Sequence, residues 1–154
     1  MPKKVSAPEA NWFVCTIGKS ASHNWQICKE KGIWGIPTSG RKFDLSQTKK
    51  GDFLIFYLAS SGFLGVAKVT GPMKVPSTKE EAPWAGGIYR YGVIVPFSLK
   101  HEIEKPIRVQ FENNRIKETN LSTTLLRKGY SRISKEDGQK ILRAYLPETK
   151  NVSA

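Results

Sequence analysis

Two adjacent strands joined by a tight turn are the feature that most constrains the fold of this chain. Residues 53–59 have the sequence FLIFYLA and residues 63–69 have the sequence FLGVAKV, so both are rich in residues that favour strands. Ser60-Ser61-Gly62 between them is typical of a hairpin turn. Lys49-Lys50-Gly51-Asp52 predicts another tight turn before the first strand. The sequence therefore predicts a sheet built around this hairpin.

Other segments extend this sheet and flank it with helices. A helix over 21–31 is expected to end at Gly32, and a capping box that starts at Ser134 begins a second helix that ends at Pro147. Strands outnumber helices, and the strongest strands are neighbours in the sequence. This pattern favours an α/β architecture of the α+β type: a mixed, barrel-like sheet of about six strands with two or three helices. The remaining predicted strands are 11–17, 33–36, 89–99 and 106–111.

The 154 residues fit one domain. We expect a disordered lead over 1–10, the domain over 11–147, and a polar tail or linker over 148–154. A long loop is predicted over 71–88, where six prolines and glycines interrupt any regular pattern. Structureless loops of this length in compact domains are often functional, so this loop is a candidate part of the site.

The chain is strongly basic. Lys and Arg outnumber Asp and Glu by 25 to 13, which gives a formal net charge of +12. Such an excess attracts nucleic acid, an anionic membrane or an acidic protein. No apolar run approaches the roughly 20 residues that a membrane span needs, and no secretory signal is expected. Cys15 and Cys28 are predicted to be buried, reduced thiols of a cytoplasmic protein without membrane attachment.

Catalysis has little support in the sequence. His23 and His101 stand in unrelated contexts, and there is neither a nucleophile elbow, a phosphate-binding loop, nor a regular His/Cys metal motif. Glu102 and Glu104 are expected on a solvated strand end rather than in an acid/base pair. We therefore expect a protein that is not an enzyme and that needs no metal and no cofactor.

Four tryptophans divide into two groups. Trp12, at the start of a strand, and Trp25, on the inner face of the first helix, are predicted to be core residues. Trp34 and Trp84 lie next to glycines in loop-like positions, where a ring could project into a cavity. From residue type alone, each of these two could equally plug the end of the barrel.

Basic residues are interleaved with these rings. Residues 115–143 hold eight lysines or arginines against three acidic residues. Phosphate contacts contribute affinity without sequence information, so specificity would have to come from a base edge or a base face. The candidate phosphate-binding residues are Lys19, Arg41, Lys42, Arg127 and Lys128.

The order of several motifs resembles a known family. NWFVCTI, NW, GIWGIP, LSQTKKGDFLIFY and GFLGVAKV follow one another over residues 11–69, and the resemblance covers roughly residues 11–146. The chain resembles the EVE domain, a member of the PUA-like group, and is also similar to the YTH domain, the reader of N6-methyladenine in RNA. The GIWGIP form is closer to EVE. The resemblance implies a small, strongly bent β-barrel with helices packed around it.

The resemblance also implies a cage that holds an extruded base. Trp34 and Trp84 match two tryptophans of that cage, and Asn24, ten positions before Trp34, matches an asparagine that contacts the base edge. The third wall is not identifiable by spacing. Its candidates are Leu64, Tyr57 and Tyr89. Other matches are Lys19 and Ser20 as contacts to backbone or base, Gly35 and Ile36 as sources of main-chain groups, and Arg127 as a phosphate contact.

These features predict a module that recognises a methylated or otherwise modified base flipped into an aromatic cage. Because EVE domains of prokaryotes often accompany nucleases of modification-dependent restriction systems, we expect DNA as the ligand, a monomer, and a separate nuclease or motor protein as a partner. One alternative is a modified-RNA reader of the YTH type. Less favoured are a methyl-lysine-binding module, which the positive charge opposes, and a base-modifying enzyme, which would need a paired base and nucleophile.

Overall fold

The computed structural model of this chain describes residues 10–18, 23–36, 38, 45–84, 87–127 and 129–146. The predicted lead, except Ala10, and the predicted tail lie outside these residues. The described elements, in chain order, are β1 (Trp12–Ile17), α1 (His23–Lys31), β2 (Ile33–Ile36), β3 (Phe53–Leu58), β4 (Gly62–Val69), α2 (Gly87–Arg90), β5 (Val93–Glu102), β6 (Phe111–Glu112), β7 (Arg115–Ile116), β8 (Tyr130–Ile133) and α3 (Lys135–Tyr145).

Six of the described strands form one curled sheet in the order β2-β5-β4-β3-β1-β8. Strands β1 and β3 pair in parallel, and the other neighbours are antiparallel. Strands β6 and β7 form a separate two-stranded hairpin. With its three helices, this mixed half-barrel confirms the predicted α+β fold.

The sheet separates two hydrophobic cores because side chains of β1 and β3 alternate between its faces. Phe13 and Cys15 of β1 point into the first core, together with Leu54 and Phe56 of β3. The first core also contains the buried residues of α1 and β2. The second core lies under α3 and takes the intervening residues. Its members from β1, β3 and α3 are Trp12, Val14, Phe53, Ile55, Tyr57, Ile141, Leu142 and Tyr145.

Local capping signals end and begin the helices as the sequence predicts. Gly32 has φ +66° and its N–H donates to the Cys28 carbonyl at 2.8 Å, which closes α1. The Ser134 hydroxyl accepts from the Asp137 N–H at 3.1 Å at the start of α3. Asp137 also accepts from the Asn120 N–H at 3.0 Å, so the cap ties the preceding loop to the helix.

Three strand predictions need correction. Residues 89–92 were predicted to begin a strand, but α2 occupies 87–90 and β5 starts at Val93. The reason is local: Gly87 has φ +53° and the Tyr91 N–H donates to its carbonyl at 3.0 Å, which makes a helical turn. The strand predicted over 106–111 is reduced to β6 at its end. Strand β8, which lies in a polar and basic stretch, was not predicted.

The two tryptophans predicted as core residues are confirmed. Trp12 stacks on Phe53 with ring centroids 4.4 Å apart and is fully buried. Trp25 is buried against Phe56, and its indole N–H donates to the Glu102 carboxylate at 3.0 Å. Lys29 binds the same carboxylate oxygen at 2.8 Å. Glu102 is the exposed last residue of β5, as predicted, and its carboxylate also accepts from two side chains of α1.

In the described part of the chain, no helix is long and apolar enough to cross a membrane.

Asp52 joins the start of β1 to the turn before β3. Its carboxylate is completely buried and accepts from the N–H groups of Asn11, at 2.9 Å, and Lys49, at 3.0 Å. Removing the carboxylate would leave both N–H groups without this acceptor. The turn residue Asp52 is thus part of what fixes the β1–β3 pair.

We predict that Asp52→Ala lowers the free energy of unfolding by about 2–4 kcal/mol, because two donors lose their partner. Urea denaturation followed by circular dichroism measures this change. Glu104→Ala, which removes an exposed carboxylate, is the control and should stay within about 0.5 kcal/mol of the parent. Equal stabilities of the two variants would contradict the assignment.

Candidate functional site

A cleft opens where β1, α1, β2 and α2 meet. It contains about 380 Å³ of empty space, counting its opening to solvent. Its cavity volume, without the opening, is about 60 Å³. The residues that line it are Thr16, Ile17, Gly18, Asn24, Cys28, Trp34, Gly35, Trp84, Arg90 and Tyr91.

Trp34 forms one wall of the cleft and is also packed against the core. It lies on the edge strand β2 opposite Val95 and is 4% exposed. Its ring meets Phe56 edge-on, with centroids 5.6 Å apart and planes at 65°. The two interpretations that the sequence left open are therefore both true: the ring is buried, and one side of it lines a cavity.

Trp84 forms a second wall and rests on the main chain of Gly35. The ring of Trp84 lies 5.1 Å from that of Tyr91 and is equally buried. A Cβ atom added to Gly35 would lie 2.6 Å from Cζ3 of Trp84. Gly35 is therefore required for the close approach of the indole to β2, which gives a physical reason for glycine in the GIWGIP segment.

Asn24 brings a carboxamide to the cleft from the first turn of α1. Its Nδ2 donates to the Tyr91 hydroxyl at 3.2 Å, so the side chain is held in a fixed orientation. Its Oδ1 is buried and has no hydrogen-bond partner. The carboxamide oxygen of Asn24 is therefore an unpaired acceptor that a ligand could use, in a side chain oriented by Tyr91.

Buried polar atoms without a hydrogen-bond partner are concentrated in this cleft. Four of the eight such atoms in the described residues belong to its lining: Oγ1 of Thr16, Oδ1 of Asn24 and the indole Nε1 of Trp34 and of Trp84. Buried polar groups in folded proteins are nearly always paired, and an unpaired one costs about 1–3 kcal/mol. Residues of the cleft lining thus carry two indole N–H donors, one carbonyl acceptor and one hydroxyl that are buried and have no hydrogen-bond partner.

The thiols near the cleft are free and buried, as predicted. Burial raises the pKa of Cys28 to about 12, partly offset by interactions of its sulfur with Trp84 and the main chain of Gly35. The indole N–H of Trp84 does not reach ordinary hydrogen-bond geometry with that sulfur. Burial, together with the nearby Cys28, also raises the pKa of Cys15 well above its usual range. Both are neutral thiols at physiological pH, with little nucleophilic character.

No three His, Cys, Asp or Glu side chains of the described residues come together in a group that could hold a metal ion.

The structure brings four of the predicted site residues to this one cleft: Asn24, Trp34, Gly35 and Trp84. Ile36 does not line it and is buried in the first core, paired with Val93. Arg127 ends a 3₁₀ turn (Thr123–Arg127), and its side chain is not described. The other predicted contacts, Lys19, Ser20, Arg41, Lys42 and Lys128, lie outside the described residues.

The third aromatic wall is Tyr91, which the sequence did not indicate. Of the candidates considered, Leu64 is buried in the first core and Tyr57 in the second. Tyr89 is 73% exposed on α2 and does not line the cleft. A sequence signal for Tyr91 was its position only seven residues after Trp84, which the family match had already assigned to the site.

Arg90 is a second lining residue that the sequence did not indicate. It lies at the mouth of the cleft, with its guanidinium 5.4 Å from the ring centroid of Tyr91. The side chain is exposed, so the charge remains in contact with solvent. A positive group thus stands at the entrance of an aromatic cleft.

Comparisons with known proteins agree with this architecture. A sequence model of the EVE domain matches residues 11–144. A search of curated proteins gives no significant match. Among solved structures, the chain is similar to a hypothetical protein from Leishmania major, with a TM-score of 0.60 and 14% identity over 88% of this chain and 94% of that chain.

Two solved YTH domains have similar folds. The YTH domain of Pho92, in complex with m6A, has a TM-score of 0.58 and 19% identity over 98% of this chain and 93% of that chain. The YTH domain of Zygosaccharomyces rouxii MRB1, in complex with N6-methyladenosine RNA, has a TM-score of 0.57 and 19% identity over 93% and 92%. At these identities the likeness concerns the fold.

We predict that Gly35→Ala displaces the Trp84 ring, because the added methyl group would overlap it. The free energy of unfolding should fall by about 1–3 kcal/mol, and the indole N–H resonance of Trp84 should shift in a proton–nitrogen correlation spectrum. Gly71→Ala is the matched control, since its Cβ would lie an ordinary 3.4 Å from Pro96. An unmoved Trp84 resonance in Gly35→Ala would contradict this packing.

Proposed function

The chain belongs to the EVE domain family, and we propose that it binds nucleic acid by taking one modified base into the cleft between Trp34 and Trp84. One observation carries the proposal: four residues that line a cleft with aromatic walls each have a buried polar atom without a partner. A purine or pyrimidine has a flat face that can stack on the aromatic walls. It also has an edge of donors and acceptors that can pair with the polar atoms.

The magnitudes favour base flipping into such a cleft. Flipping costs a few kcal/mol in a duplex and less in a single strand. Stacking on an aromatic ring returns about 1–3 kcal/mol per base, and each hydrogen bond to an unpaired buried group adds to this. Burying one added methyl group contributes about 0.8 kcal/mol, which is roughly fourfold in affinity. Selectivity for a methylated base therefore depends on a close fit and on edge contacts such as Asn24 Oδ1.

The charge of the chain supplies sequence-independent affinity. A net charge of +12 draws the protein to phosphates, and Arg90 places one cation at the mouth of the cleft. Binding through phosphates weakens steeply as salt rises. The same charge opposes the methyl-lysine alternative, because a basic peptide would be repelled.

We propose DNA as the polymer, with this chain as the reader of a modification-dependent restriction or defence system in the cytoplasm. In this proposal the chain is a monomeric binding module rather than an enzyme, it uses no cofactor, and a nuclease or motor protein supplies the chemistry. The association of prokaryotic EVE domains with nucleases of such systems supports this choice.

RNA is the second candidate polymer. Two structural neighbours of this chain are YTH domains bound to methylated adenosine, one of them in RNA. The test is a binding screen with oligonucleotides that carry N6-methyladenine, 5-methylcytosine, 5-hydroxymethylcytosine or no modification. DNA and RNA of one sequence are compared as single and double strands. Tighter binding of a modified DNA supports the proposal, tighter binding of a modified RNA supports the second candidate, and equal binding of all probes contradicts both.

We predict that Trp34→Phe weakens binding of the preferred modified oligonucleotide by about tenfold, because it removes an N–H donor and part of the stacking surface. Salt-sensitive binding of unmodified strands should remain. Fluorescence anisotropy at two salt concentrations measures both. Trp25→Phe is the matched control: its ring lies outside the cleft, so base preference should survive the loss of the bond to Glu102. Unchanged preference in Trp34→Phe would exclude the cleft as the base site.

We also predict that Asn24→Ala weakens binding of the modified oligonucleotide more than binding of the unmodified one. The substitution removes the unpaired acceptor and the hydrogen bond that orients Tyr91. The ratio of the two dissociation constants, measured by titration calorimetry, should fall by about five- to tenfold. Equal losses for both oligonucleotides would show that Asn24 does not contact the base edge.

A further inference from the structure

The short helix α2 carries exposed apolar side chains beside the cleft. Tyr89 is 73% exposed, the largest value among the exposed large hydrophobic residues of the described chain, and the adjacent Ile88 is 38% exposed. Exposed apolar residues that occur singly need no explanation, but adjacent ones at the edge of a binding cleft are typical of a contact surface.

Helix α2 is held firmly between two walls of the cleft. The Gly87 N–H donates to the Trp84 carbonyl at 3.0 Å, and the Tyr91 N–H donates to the Gly87 carbonyl at 3.0 Å. Thr38 secures the other end: its N–H donates to the Arg90 carbonyl at 2.9 Å, and its hydroxyl accepts from the Gly92 N–H at 3.0 Å. A side chain on such a fixed backbone loses little further backbone freedom when it binds.

Arg90 makes this surface continuous with the cleft. It belongs to α2, yet it lines the mouth of the cleft and lies over the ring of Tyr91. When a base enters the cleft, the phosphates of its nucleotide stay at the mouth. The next nucleotide of the strand must then lie over α2 or over the opposite edge of the cleft. An exposed guanidinium at that place suits a phosphate, and an exposed phenol ring beside it suits a base face.

We infer that α2 is a second nucleotide subsite, in which Tyr89 stacks on the base next to the flipped one and Arg90 contacts the phosphate between them. This inference rests on the proposed function of the cleft and adds a site outside it. Flipping deprives the neighbouring base of one stacking partner. The ring of Tyr89 replaces that partner, and Ile88 extends the apolar surface.

A protein ligand fits the same surface less well. The surface is bordered by Arg90 and belongs to a chain of charge +12, so it favours a polyanion. It also adjoins the cleft through Arg90, which lines the cleft and directly follows Tyr89 in the chain.

The test compares Tyr89→Ala with the parent on two kinds of probe. The first is a single-stranded oligonucleotide with one N6-methyladenine or one 5-methylcytosine, in DNA and in RNA, and the second is the free methylated nucleoside. Fluorescence anisotropy and calorimetry measure the respective affinities. Tyr89→Ala should bind the oligonucleotide about 5- to 100-fold more weakly and the nucleoside as well as the parent does. Tyr89→Phe should retain oligonucleotide binding, because it retains the ring.

Two matched controls separate stacking from general effects. Phe111→Ala removes a ring of similar exposure, 53%, from the separate hairpin and should change nothing. An oligonucleotide with an abasic site on one side of the modified base should bind Tyr89→Ala and the parent equally when that side is the one that stacks. Arg90→Gln should reduce the slope of log affinity against log salt by about one.

The outcomes distinguish the two proposals. If no modified nucleoside or oligonucleotide binds the parent, the proposed function of the cleft fails and the subsite fails with it. If the parent binds both probes but Tyr89→Ala binds the oligonucleotide equally well, the subsite alone is overturned. The same holds if Tyr89→Phe loses as much affinity as Tyr89→Ala.

Discussion

The burial of both faces of the central β1–β3 pair is the constraint on which the rest of this structure depends. Alternate residues of these two strands must be covered on two sides, so the chain needs a second layer above and below the sheet. Helix α3 covers one face. The other face is covered by an aromatic group around Phe56, whose ring lies 4.7 Å from Trp25, 5.6 Å from Trp34 and 5.1 Å from Phe97.

The cleft exists because this aromatic layer is incomplete at one end. Trp34 reaches the cleft from the core, Trp84 reaches it from a loop, and Asn24 reaches it from a helix. Each of these three residues has a buried polar atom without a partner. The unfavourable free energy of these unpaired atoms is offset by the burial of the large core. Unsatisfied groups inside a well-packed core are more informative about function than the cavity volume, because packing alone gives no reason for them.

Much of the fold follows from local sequence signals. Gly32, Ser134 and the turn at 60–62 act through their immediate neighbours, and the elements they bound were predicted. Strand β8 was missed because its place depends on antiparallel pairing with β1, more than 110 positions away in the chain. Tyr91 was missed for a similar reason: its role comes from a hydrogen bond to Asn24, 67 positions earlier, which no periodicity reveals. Trp34 and Trp84 were singled out by their neighbouring glycines, whereas their role as cage walls and the choice of Asn24 came from the family motifs.

The hydrogen bond between Asn24 and Tyr91 has a thermodynamic consequence. Tyr91 directly follows α2, while Asn24 belongs to the cleft lining and has a buried, unpaired Oδ1. A ligand that binds Oδ1 of Asn24 is therefore linked through this bond to the segment that carries Tyr89 and Arg90. Coupling of this kind is reciprocal: the factor by which an enclosed base strengthens contacts of the outer strand equals the factor by which those contacts strengthen retention of the base. The hydrogen bond between Asn24 and Tyr91 can thus make base selectivity inside the cleft depend on the contacts that the rest of the nucleic acid makes outside it.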